Sequence, residues 1–339
     1  MEVSAVSISK YAPKLYENDQ TRYAMTSAIQ RTLLRDHLCF CEELTDRTDG
    51  RFLSRILIGY LQFQRDRDVA AFENSITAAF DSPCKRIGGE QRFRFNRGLA
   101  ELVNSFSFSR EEHFDKRVLV EALLAGYCRL PYAEREQCYF YEQYQTIQEC
   151  ICEHTELLLS VKSAVGEIRK FQYKPFCLQT DENSLLSYLA GFSHEIGSAK
   201  PYGIFSVRLQ RILSAVNTKE DGTLGADKVA LIRKRIGELG IAYINFDQTE
   251  PIRVALTQQG YNKFTKILLH QRPLPSAPLE LCEGDYPYLL TFQCSQIQIR
   301  NYFFSFGADA KILSPDSLRE EFAREYHKAA VLYTLPKGC

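Results

Sequence analysis

The hydrophobic pattern in the first part of the chain predicts short helices in two similar blocks. Residues 27–64 and residues 91–130 each contain an extended start, a short helix, a polar break and an apolar helix. Both blocks end close to a Gly-Tyr pair, Gly59-Tyr60 in the first and Gly126-Tyr127 in the second. Residues 1–20 have no regular period, and we expect them to form a flexible arm.

Strict alternation of polar and apolar residues marks the start of the second block. Arg92, Arg94 and Asn96 alternate with Phe93 and Phe95, as in a strand with one polar and one apolar face. Strand, helix, helix is the element order of a ribbon-helix-helix unit, in which two strands pair into a ribbon. The first block alternates poorly, so a generic helical domain with one basic loop is the alternative interpretation of residues 21–130.

The rest of the chain changes from helical to strand-like patterns and then mixes the two. Residues 131–156 are interpreted as one connecting helix after Pro131. Short apolar runs separated by turn signals predict a small β-barrel or sandwich over residues 157–220. Residues 221–250 are interpreted as a linker with an amphipathic helix, and strand and helix patterns alternate over residues 251–339, which predicts a small α/β domain. The expected fold class is therefore a multidomain α+β protein.

The charge balance excludes attraction of nucleic acid by the protein as a whole. Lys and Arg total 42, and Asp and Glu also total 42, so only local clusters can attract a polyanion. Residues 84–100 hold five basic residues against one acid, and residues 161–175 hold four against one. These two segments are the candidate basic surfaces.

Several other classes of protein do not fit the sequence. The N-terminal residues do not follow a signal-peptide pattern, and the eleven cysteines lack the CxxC spacing of zinc sites. We therefore expect a cytoplasmic protein with reduced thiols and no metal. No apolar run approaches the length of a membrane span, and no membrane contact is expected. No phosphate-binding loop, nucleophile elbow or kinase motif occurs, so we expect neither a cofactor nor enzymatic activity.

Three short motifs together resemble the WYL domain, an SH3- or Sm-like β-barrel of bacterial regulators. They are Pro175-Phe176, the run SYLAGF at 187–192, and the run VRLQRI at 207–212. Tyr188 and Leu189 match the second and third letters of the family's name, whereas Ser187 stands where tryptophan is usual. The resemblance implies that the arginines of the last run line a ligand pocket.

Those arginines are Arg208 and Arg211, and a guanidinium group suits phosphate because its planar donors match two oxygens. A regular strand would place them on opposite faces, so either one faces the pocket and the other its rim, or a bulge brings both to one side. We expect Arg211 and Tyr188 to be the pair that contacts the ligand together. Basic residues nearby that can extend this surface are Arg169, Lys170, Lys174 and His194. Exposed ion pairs are the structural alternative.

The C-terminal sequence extends the resemblance. The segment GADAKILSPDSLREEFAREYHKAAVLY is similar to the extension that follows WYL domains, which implies a homodimer through this region. The runs VALTQQGYNKFTKILLHQRPL and IQIRNYFFSFGADAKILSP resemble the accessory WYL proteins encoded beside type VI-D CRISPR-Cas effectors. Those proteins bind single-stranded RNA and stimulate the RNA-guided RNase, so the resemblance implies a role in antiviral defence.

Two other functions compete with this interpretation. A transcription regulator would bind operator DNA through Arg92, Arg94 and Arg97 and sense a nucleotide or nucleic acid in the WYL barrel. A structural dimeric scaffold would bind no nucleic acid, and the neutral net charge favours it. Single-stranded RNA and a CRISPR effector nuclease are the expected partners, and duplex DNA is the alternative partner.

Overall fold

The structure is a computed structural model that describes residues 15–41, 49–81, 89–163, 166–181, 184–245, 250–268 and 272–334. Helices and antiparallel sheets alternate in it, which confirms the α+β class. The chain divides into two compact units, Met1–Thr146 and Ile147–Cys339, and the division falls within helix α6. No helix among the described residues combines the length and the apolar character needed to cross a membrane.

The first unit contains a two-stranded ribbon and several helices. Its elements are β1 (Gln20–Met25), α1 (Ser27–Cys41), α2 (Gly50–Asp81), β2 (Gly89–Arg94), α3 (Arg97–Asn104), α4 (Lys116–Arg129), α5 (Tyr132–Tyr139) and the start of α6 (Tyr141–Glu153). Helix α2 is interrupted at Asp68, whose Oδ1 accepts from the backbone N–H of Ala71 and so caps the second half of the helix.

The ribbon pairs β1 and β2 antiparallel, with Arg22 opposite Arg92. Tyr23 and Phe93 are buried on its inner face, where their rings meet edge to face at 6.3 Å. The prediction for β2 is confirmed, but the expected extended start of the first block at residue 27 is wrong because residues 27–41 are helical. The first strand lies upstream of this block, and only its first residue, Gln20, falls within the arm predicted at residues 1–20.

The described end of that segment is packed against the unit. Leu15 is buried, its N–H donates to the side chain of Asn104, and its carbonyl accepts from the same amide. Residues 1–14 of the predicted arm lie outside the described residues. The predicted boundary at residue 20 is therefore too late, because backbone hydrogen bonding and burial begin by residue 15.

The two Gly-Tyr pairs mark positions where helices approach closely. A Cβ atom at Gly59 would overlap the carbonyl oxygen of Cys138 in α5, and one at Gly126 would overlap the hydroxyl of Tyr60. The rings of Tyr60 and Tyr127 meet edge to face at 6.3 Å. Both glycines of the repeat thus lie where a Cβ atom has no room, but Gly59 meets the backbone of α5 and Gly126 meets the side chain of Tyr60.

The region 131–156 contains two helices where one was predicted. They separate at Phe140, the residue that ends α5, and residues 155–156 already belong to the first strand of the next sheet. The side chain of Arg135 explains the fixed position of α5. Its guanidinium donates to both carboxylate oxygens of Asp36 in α1, at 2.7 and 3.2 Å, and Tyr127 in α4 donates to the same carboxylate at 2.9 Å.

The second unit begins with a five-stranded antiparallel sheet in the order β6-β5-β4-β3-β7. Its strands are β3 (Thr155–Lys162), β4 (Ile168–Thr180), β5 (Ser187–Glu195), β6 (Gly203–Arg208) and β7 (Ile212–Asp221). Only one turn of 3₁₀-helix, Leu209–Arg211, joins the two edge strands β6 and β7. The run FSVRLQRIL at 205–213 is therefore not one strand, and its break lies between the two arginines.

Helix α7 (Ala226–Leu239) and a 3₁₀ turn at Ile241–Tyr243 precede a second sheet. Its elements are β8 (Ile252–Leu256), α8 (Gln258–Asn262), a π-helical turn (Lys263–Ile267), β9 (Glu280–Leu281), β10 (Tyr288–Phe292), α9 (Gln296–Phe303), β11 (Ala310–Ser314) and α10 (Asp316–Thr334). The strand order is β11-β8-β10-β9, and every pairing is antiparallel. The core contains Val254, Phe292 and Phe303.

The prediction of a small α/β domain needs correction in one respect. Helix α9 does connect two strands of like direction, β10 and β11, as the alternation of patterns indicated. However, β8 lies between them and runs antiparallel to both. The sheet is consequently antiparallel throughout, and the domain belongs with α+β folds.

Candidate nucleic-acid interface

A cavity of about 400 Å³ opens in the second unit where β6 ends. Its wall contains residues of the five-stranded sheet, of the 3₁₀ turn at 241–243 and of helix α9. Its lining includes Arg169 and Phe171 from β4, Tyr188 from β5, Phe205 and Arg208 from β6, Arg211 from the 3₁₀ turn, Tyr243, Asn245, and Asn301 from α9. The rings of Phe171 and Phe205 stack with centroids 5.1 Å apart and form an apolar part of the wall.

Both Arg208 and Arg211 line this cavity, and the backbone break explains why. Arg208 caps the 3₁₀ turn and Arg211 ends it. A 3₁₀-helix has three residues per turn, so positions i and i+3 project on the same side. Leu209 and Ile212 are fully buried and hold the turn in place. The sequence left two arrangements open, and the structure shows the one with both arginines lining the cavity, produced by a 3₁₀ turn and not by the bulge named in that alternative.

Tyr188 contacts Arg208, whereas we had expected it to act with Arg211. The two residues are directly opposite in the β5–β6 register. The Nε of Arg208 donates to the hydroxyl of Tyr188 at 2.9 Å, and the guanidinium carbon lies 5.9 Å from the ring centroid. Tyr188 is 7% exposed, so its buried hydroxyl is a fixed acceptor that holds the guanidinium of Arg208 in place. Both arginines therefore belong to the site together with Tyr188.

The charge of the cavity is not balanced by its own walls. Four lining residues are basic, Lys162, Arg169, Arg208 and Arg211, and no described residue lining the cavity is acidic. The guanidinium of Arg169 lies 2.9 Å from the carboxylate of Glu167 and 3.8 Å from that of Glu195, and the hydrogen bond that it donates to Glu167 raises the pKa of Arg169. Arg208 and Arg211 are half-buried and form no ion pair with any residue that the structure describes. The arrangement is suited to an anion.

Lys170, Lys174 and His194 are not brought into the cavity. Arg169 and Phe171 line it, and strand alternation directs Lys170 and Lys174 to the other face of β4. The Nζ of Lys174 donates to the carbonyl of Asp221 at 2.9 Å. The Nδ1 of His194 lies 2.8 Å from the carbonyl of Lys200. Of the four additional basic residues proposed from the sequence, only Arg169 lines the cavity.

Sequence reasoning missed the residues that reach the cavity from farther along the chain. The side-chain amide of Asn245 accepts from the backbone N–H of Ser206 and donates to its carbonyl at 2.7 Å, so it acts as a short strand partner for the edge of β6. Burial raises the pKa of Tyr243, which also hydrogen-bonds Asn301. No local pattern could identify these residues, because their roles depend on contacts across tens of residues.

The second predicted surface lies on the ribbon of the first unit. Arg92 and Arg94 are exposed on its outer face, and Arg22, which the sequence analysis did not select, lies opposite Arg92. Arg22 also approaches Glu90 at 3.8 Å. Arg97 is not on the ribbon: it begins α3 and pairs with Glu101 at 2.7 Å, and that hydrogen bond raises the pKa of Arg97.

Metal ligands do not converge in the described part of the chain. No group of three or more His, Cys, Asp or Glu side chains there is arranged to hold a metal ion. The site chemistry is thus that of guanidinium, phenol and amide groups.

Comparison with known proteins agrees with this architecture. Residues 269–330 match the family model of the WCX domain, a domain associated with WYL domains. The fold matches a solved structure described as "Crystal structure of a CRISPR Cas-related protein", with a TM-score of 0.69, 19% identity and coverage of 97% of both chains. The chain resembles WYL-type CRISPR-associated proteins. The resemblance to WYL-type proteins noted in the sequence is thereby confirmed, and the TM-score at this low identity shows a shared fold alone.

A further solved structure is much less similar. Proteasome accessory factor B/C of Arthrobacter aurescens gives a TM-score of 0.26 at 16% identity, over 78% of this chain and 36% of that one. This score is too low to indicate a common fold. Comparison with curated proteins gives no match.

Proposed function

We propose that this protein binds single-stranded RNA in the arginine-lined cavity and stimulates the RNA-guided RNase of a type VI-D CRISPR system. One observation carries the binding proposal: Arg208 and Arg211 lie on one side of a 3₁₀ turn without an acidic partner among the described residues. Half-buried guanidinium groups without carboxylates attract phosphate, which accepts from them in pairs. The stimulatory role rests on the resemblance to accessory WYL proteins.

The cavity also favours a single strand over a duplex. Its volume of about 400 Å³ admits one phosphate with part of its nucleotide. The stacked rings of Phe171 and Phe205 offer an apolar surface to a base or sugar. Binding of this type is dominated by phosphate charge and aromatic contact, so it tolerates different sequences and weakens with salt.

Finer features of the fold belong to the same proposal. We interpret the β1–β2 ribbon with its helices as an intrachain ribbon-helix-helix unit, and the five-stranded sheet as an SH3-like WYL barrel. We further propose that the protein acts without catalysis in the cytoplasm, as a homodimer formed through the C-terminal domain. Chromatography coupled to light scattering tests the dimer, and a mass corresponding to a monomer at micromolar concentration contradicts it.

Filter binding with single-stranded RNA tests the cavity. The double variant Arg208→Ala/Arg211→Ala should bind about 100-fold more weakly at low salt, because two charge-assisted contacts are lost. The negative slope of log affinity against log salt concentration should become less steep by about 1.4, because two phosphate contacts are lost. Lys170→Ala is the matched control, because Lys170 lies on the other face of β4. Equal affinity of both variants, or an unchanged slope, contradicts the proposal.

Target-RNA cleavage by a type VI-D effector with its guide tests the stimulatory role. Wild-type protein should increase the cleavage rate over that of the effector alone. The double arginine variant should give no increase at the same concentration, whereas Lys170→Ala should stimulate normally. Full stimulation by the double variant would show that RNA binding in the cavity is not how the effector is activated.

The ribbon supports a second candidate function, a transcription regulator that binds duplex DNA. Arg22 and Arg92 are directly opposed on an exposed face, where like charges repel, and Arg94 lies beside them. A two-stranded ribbon fits the major groove. Arg92→Ala/Arg94→Ala should then abolish duplex DNA binding and leave affinity for single-stranded RNA intact. An unchanged DNA affinity eliminates this function.

A further inference from the structure

A second cavity of about 530 Å³ lies elsewhere in the unit Ile147–Cys339. Its walls come from the end of β4, the end of α7 and the segment that begins α9. Apolar walls include Ile236, Leu239 and Ile241. None of the residues lining it is shared with the arginine-lined cavity. Its volume is typical of pockets for small organic ligands.

Asp181 places a carboxylate in the wall of this cavity. The residue is 3% exposed, and its Oδ2 accepts from the backbone N–H of Ser184 at 2.7 Å. Its Oδ1 faces Gly240, where it would lie 3.5 Å from an added Cβ. No Lys, Arg or His within the described ranges forms an ion pair with Asp181. A buried carboxylate without a cation is costly to maintain, so a ligand that donates hydrogen bonds would stabilise it.

Arg272 provides the opposite charge in the same cavity without touching Asp181. Its Nη1 donates to the carbonyl of Phe264 at 3.3 Å, and its guanidinium carbon lies 5.4 Å from the centre of that ring. The ring and carbonyl hold the guanidinium while leaving other donors available. No described carboxylate lies within ion-pair distance of Arg272. The cavity is therefore lined by one guanidinium, that of Arg272, and by two carboxylates, those of Asp181 and Glu238.

An amide adds a third polar group to the wall. Gln298 lies in the first turn of α9, is 7% exposed, and its Oε1 finds no hydrogen-bond partner among the described residues. Buried polar atoms are nearly always paired in folded proteins. Asp181, Arg272 and Gln298 thus give this cavity polar groups among its apolar walls.

We propose that this cavity binds a guanine base. The Watson–Crick edge of guanine carries two adjacent donors, N1–H and the 2-amino group, which match the two oxygens of a carboxylate. Its O6 and N7 accept from a guanidinium in the bidentate manner that arginine uses for guanine. Adenine lacks the N1–H and presents an amino group toward the arginine side. The apolar walls suit the faces of the ring.

Calorimetric titration of the full-length protein with nucleosides tests this site, because nucleosides lack the phosphate that the arginine-lined cavity would attract. Guanosine should bind about 10- to 100-fold more tightly than inosine, which lacks the 2-amino group, because one hydrogen bond to a charged group is lost. Adenosine should bind more weakly still. Equal measurable affinities for guanosine and adenosine overturn the assignment. If guanosine does not bind, the oligonucleotide comparison decides whether the base is recognised within RNA.

Oligonucleotides distinguish the two sources of guanine. An oligouridylate with one central guanosine is compared with the plain oligouridylate. Tighter binding of the first means that the base is taken from RNA, and equal binding together with guanosine binding means a free nucleoside or nucleotide ligand. Absence of both effects overturns the proposal.

The variant Asp181→Asn provides a sharper test. Asparagine can still accept from the N–H of Ser184, so the β4–β5 turn should persist, but its NH₂ group opposes the donors of guanine. Guanosine affinity should fall about 100-fold, and xanthosine, which has a carbonyl in place of the 2-amino group, should become the better ligand. Arg208→Ala/Arg211→Ala should leave guanosine binding unchanged, so failure of RNA binding and failure of this site are separable. Retained guanosine preference in Asp181→Asn overturns the assignment.

Discussion

Arg135 in the first unit is buried and Arg211 in the second is half-buried, and the groups that surround them differ in kind. The side chain of Arg135 is 10% exposed and Asp36, its partner, is 0% exposed. The Nη1 of Arg135 also donates to the carbonyl of Leu130 at 2.6 Å. Arg211 is half-buried and has no partner among the described residues. An arginine whose donors are satisfied by the fold stabilises that fold, whereas an unsatisfied one is available to a ligand.

The largest effect expected from this comparison is on stability, at Asp36. Asp36→Ala would leave the guanidinium of Arg135 and the hydroxyl of Tyr127 buried without their acceptor. Breaking a buried pair in this way should lower the free energy of unfolding by about 3–5 kcal/mol. Urea denaturation followed by circular dichroism measures the loss.

Glu101→Ala is the matched control for Asp36→Ala in the same unit. Glu101 pairs with Arg97 at 2.7 Å, but both side chains are more than half exposed. Its removal should change the free energy of unfolding by less than about 1 kcal/mol. If Asp36→Ala costs no more than Glu101→Ala, the buried network does not stabilise the first unit.

The second expected effect concerns the part of the RNA cavity that the fold does satisfy. Asn245→Ala would leave both backbone groups of Ser206 without their partner at the edge of β6. We expect a loss of about 1–3 kcal/mol in the free energy of unfolding and a weaker affinity for RNA, because β6 carries Arg208. Asn245→Asp keeps only the acceptor, so its free energy of unfolding and its affinity for RNA should lie between those of the wild type and those of Asn245→Ala. Unchanged RNA affinity in Asn245→Ala would mean that the edge of β6 is held without Asn245.

These contacts mark the limit of what the sequence could predict. Local alternation identified β2, and the apolar runs located the strands of the second unit. The first strand, β1, was not recognised at the start of the helical region predicted at 21–130, because its partner lies about 70 residues away in the chain. A six-residue strand gives too weak a signal by itself to be recognised without that partner.

The candidate site shows the same limit at the level of single residues. Arg208, Arg211 and Tyr188 were identified because short motifs carry them. The sequence did not predict that both arginines line the same cavity, because the 3₁₀ turn contains no glycine or proline and depends on the burial of Leu209 and Ile212. Lys170 and Lys174 were wrongly grouped with Arg169 because strand alternation was not applied to β4, although the period of two separates them.

A smaller effect is expected when the unsatisfied arginine itself is removed. Arg211→Ala should change the free energy of unfolding by no more than about 0.5 kcal/mol, because no described contact of the folded state is lost. The same variant should lose much of the stabilisation that RNA gives to the wild type, which mass action links to its affinity. Thermal denaturation with and without RNA measures both quantities. A large loss of stability without RNA would show that Arg211 is a structural residue like Arg135.

The smallest effect is expected at the half-buried ion pair between Lys263 and Asp309, whose contribution to stability depends on pH. Hydrogen bonds from Lys263 and Thr257 lower the pKa of Asp309 below its ordinary value. A lowered pKa in the folded state stabilises the protein above the unfolded pKa of about 3.9, and this contribution is lost as the pH falls through the folded value. Lys263→Met should therefore lower the denaturation midpoint slightly at pH 5–7, and the difference from wild type should vanish in strong acid.

Lys266→Met is the control for Lys263→Met, because Lys266 lies three residues later in the same π-helical turn and is exposed. It should leave the midpoint unchanged over the whole pH range. A difference between Lys263→Met and wild type that persists below the folded pKa of Asp309 would show that Lys263 acts through packing of its aliphatic stem, since the carboxylate is then protonated. The pair would in that case resemble Arg135 and Asp36, which are held by burial, more than an exposed salt bridge.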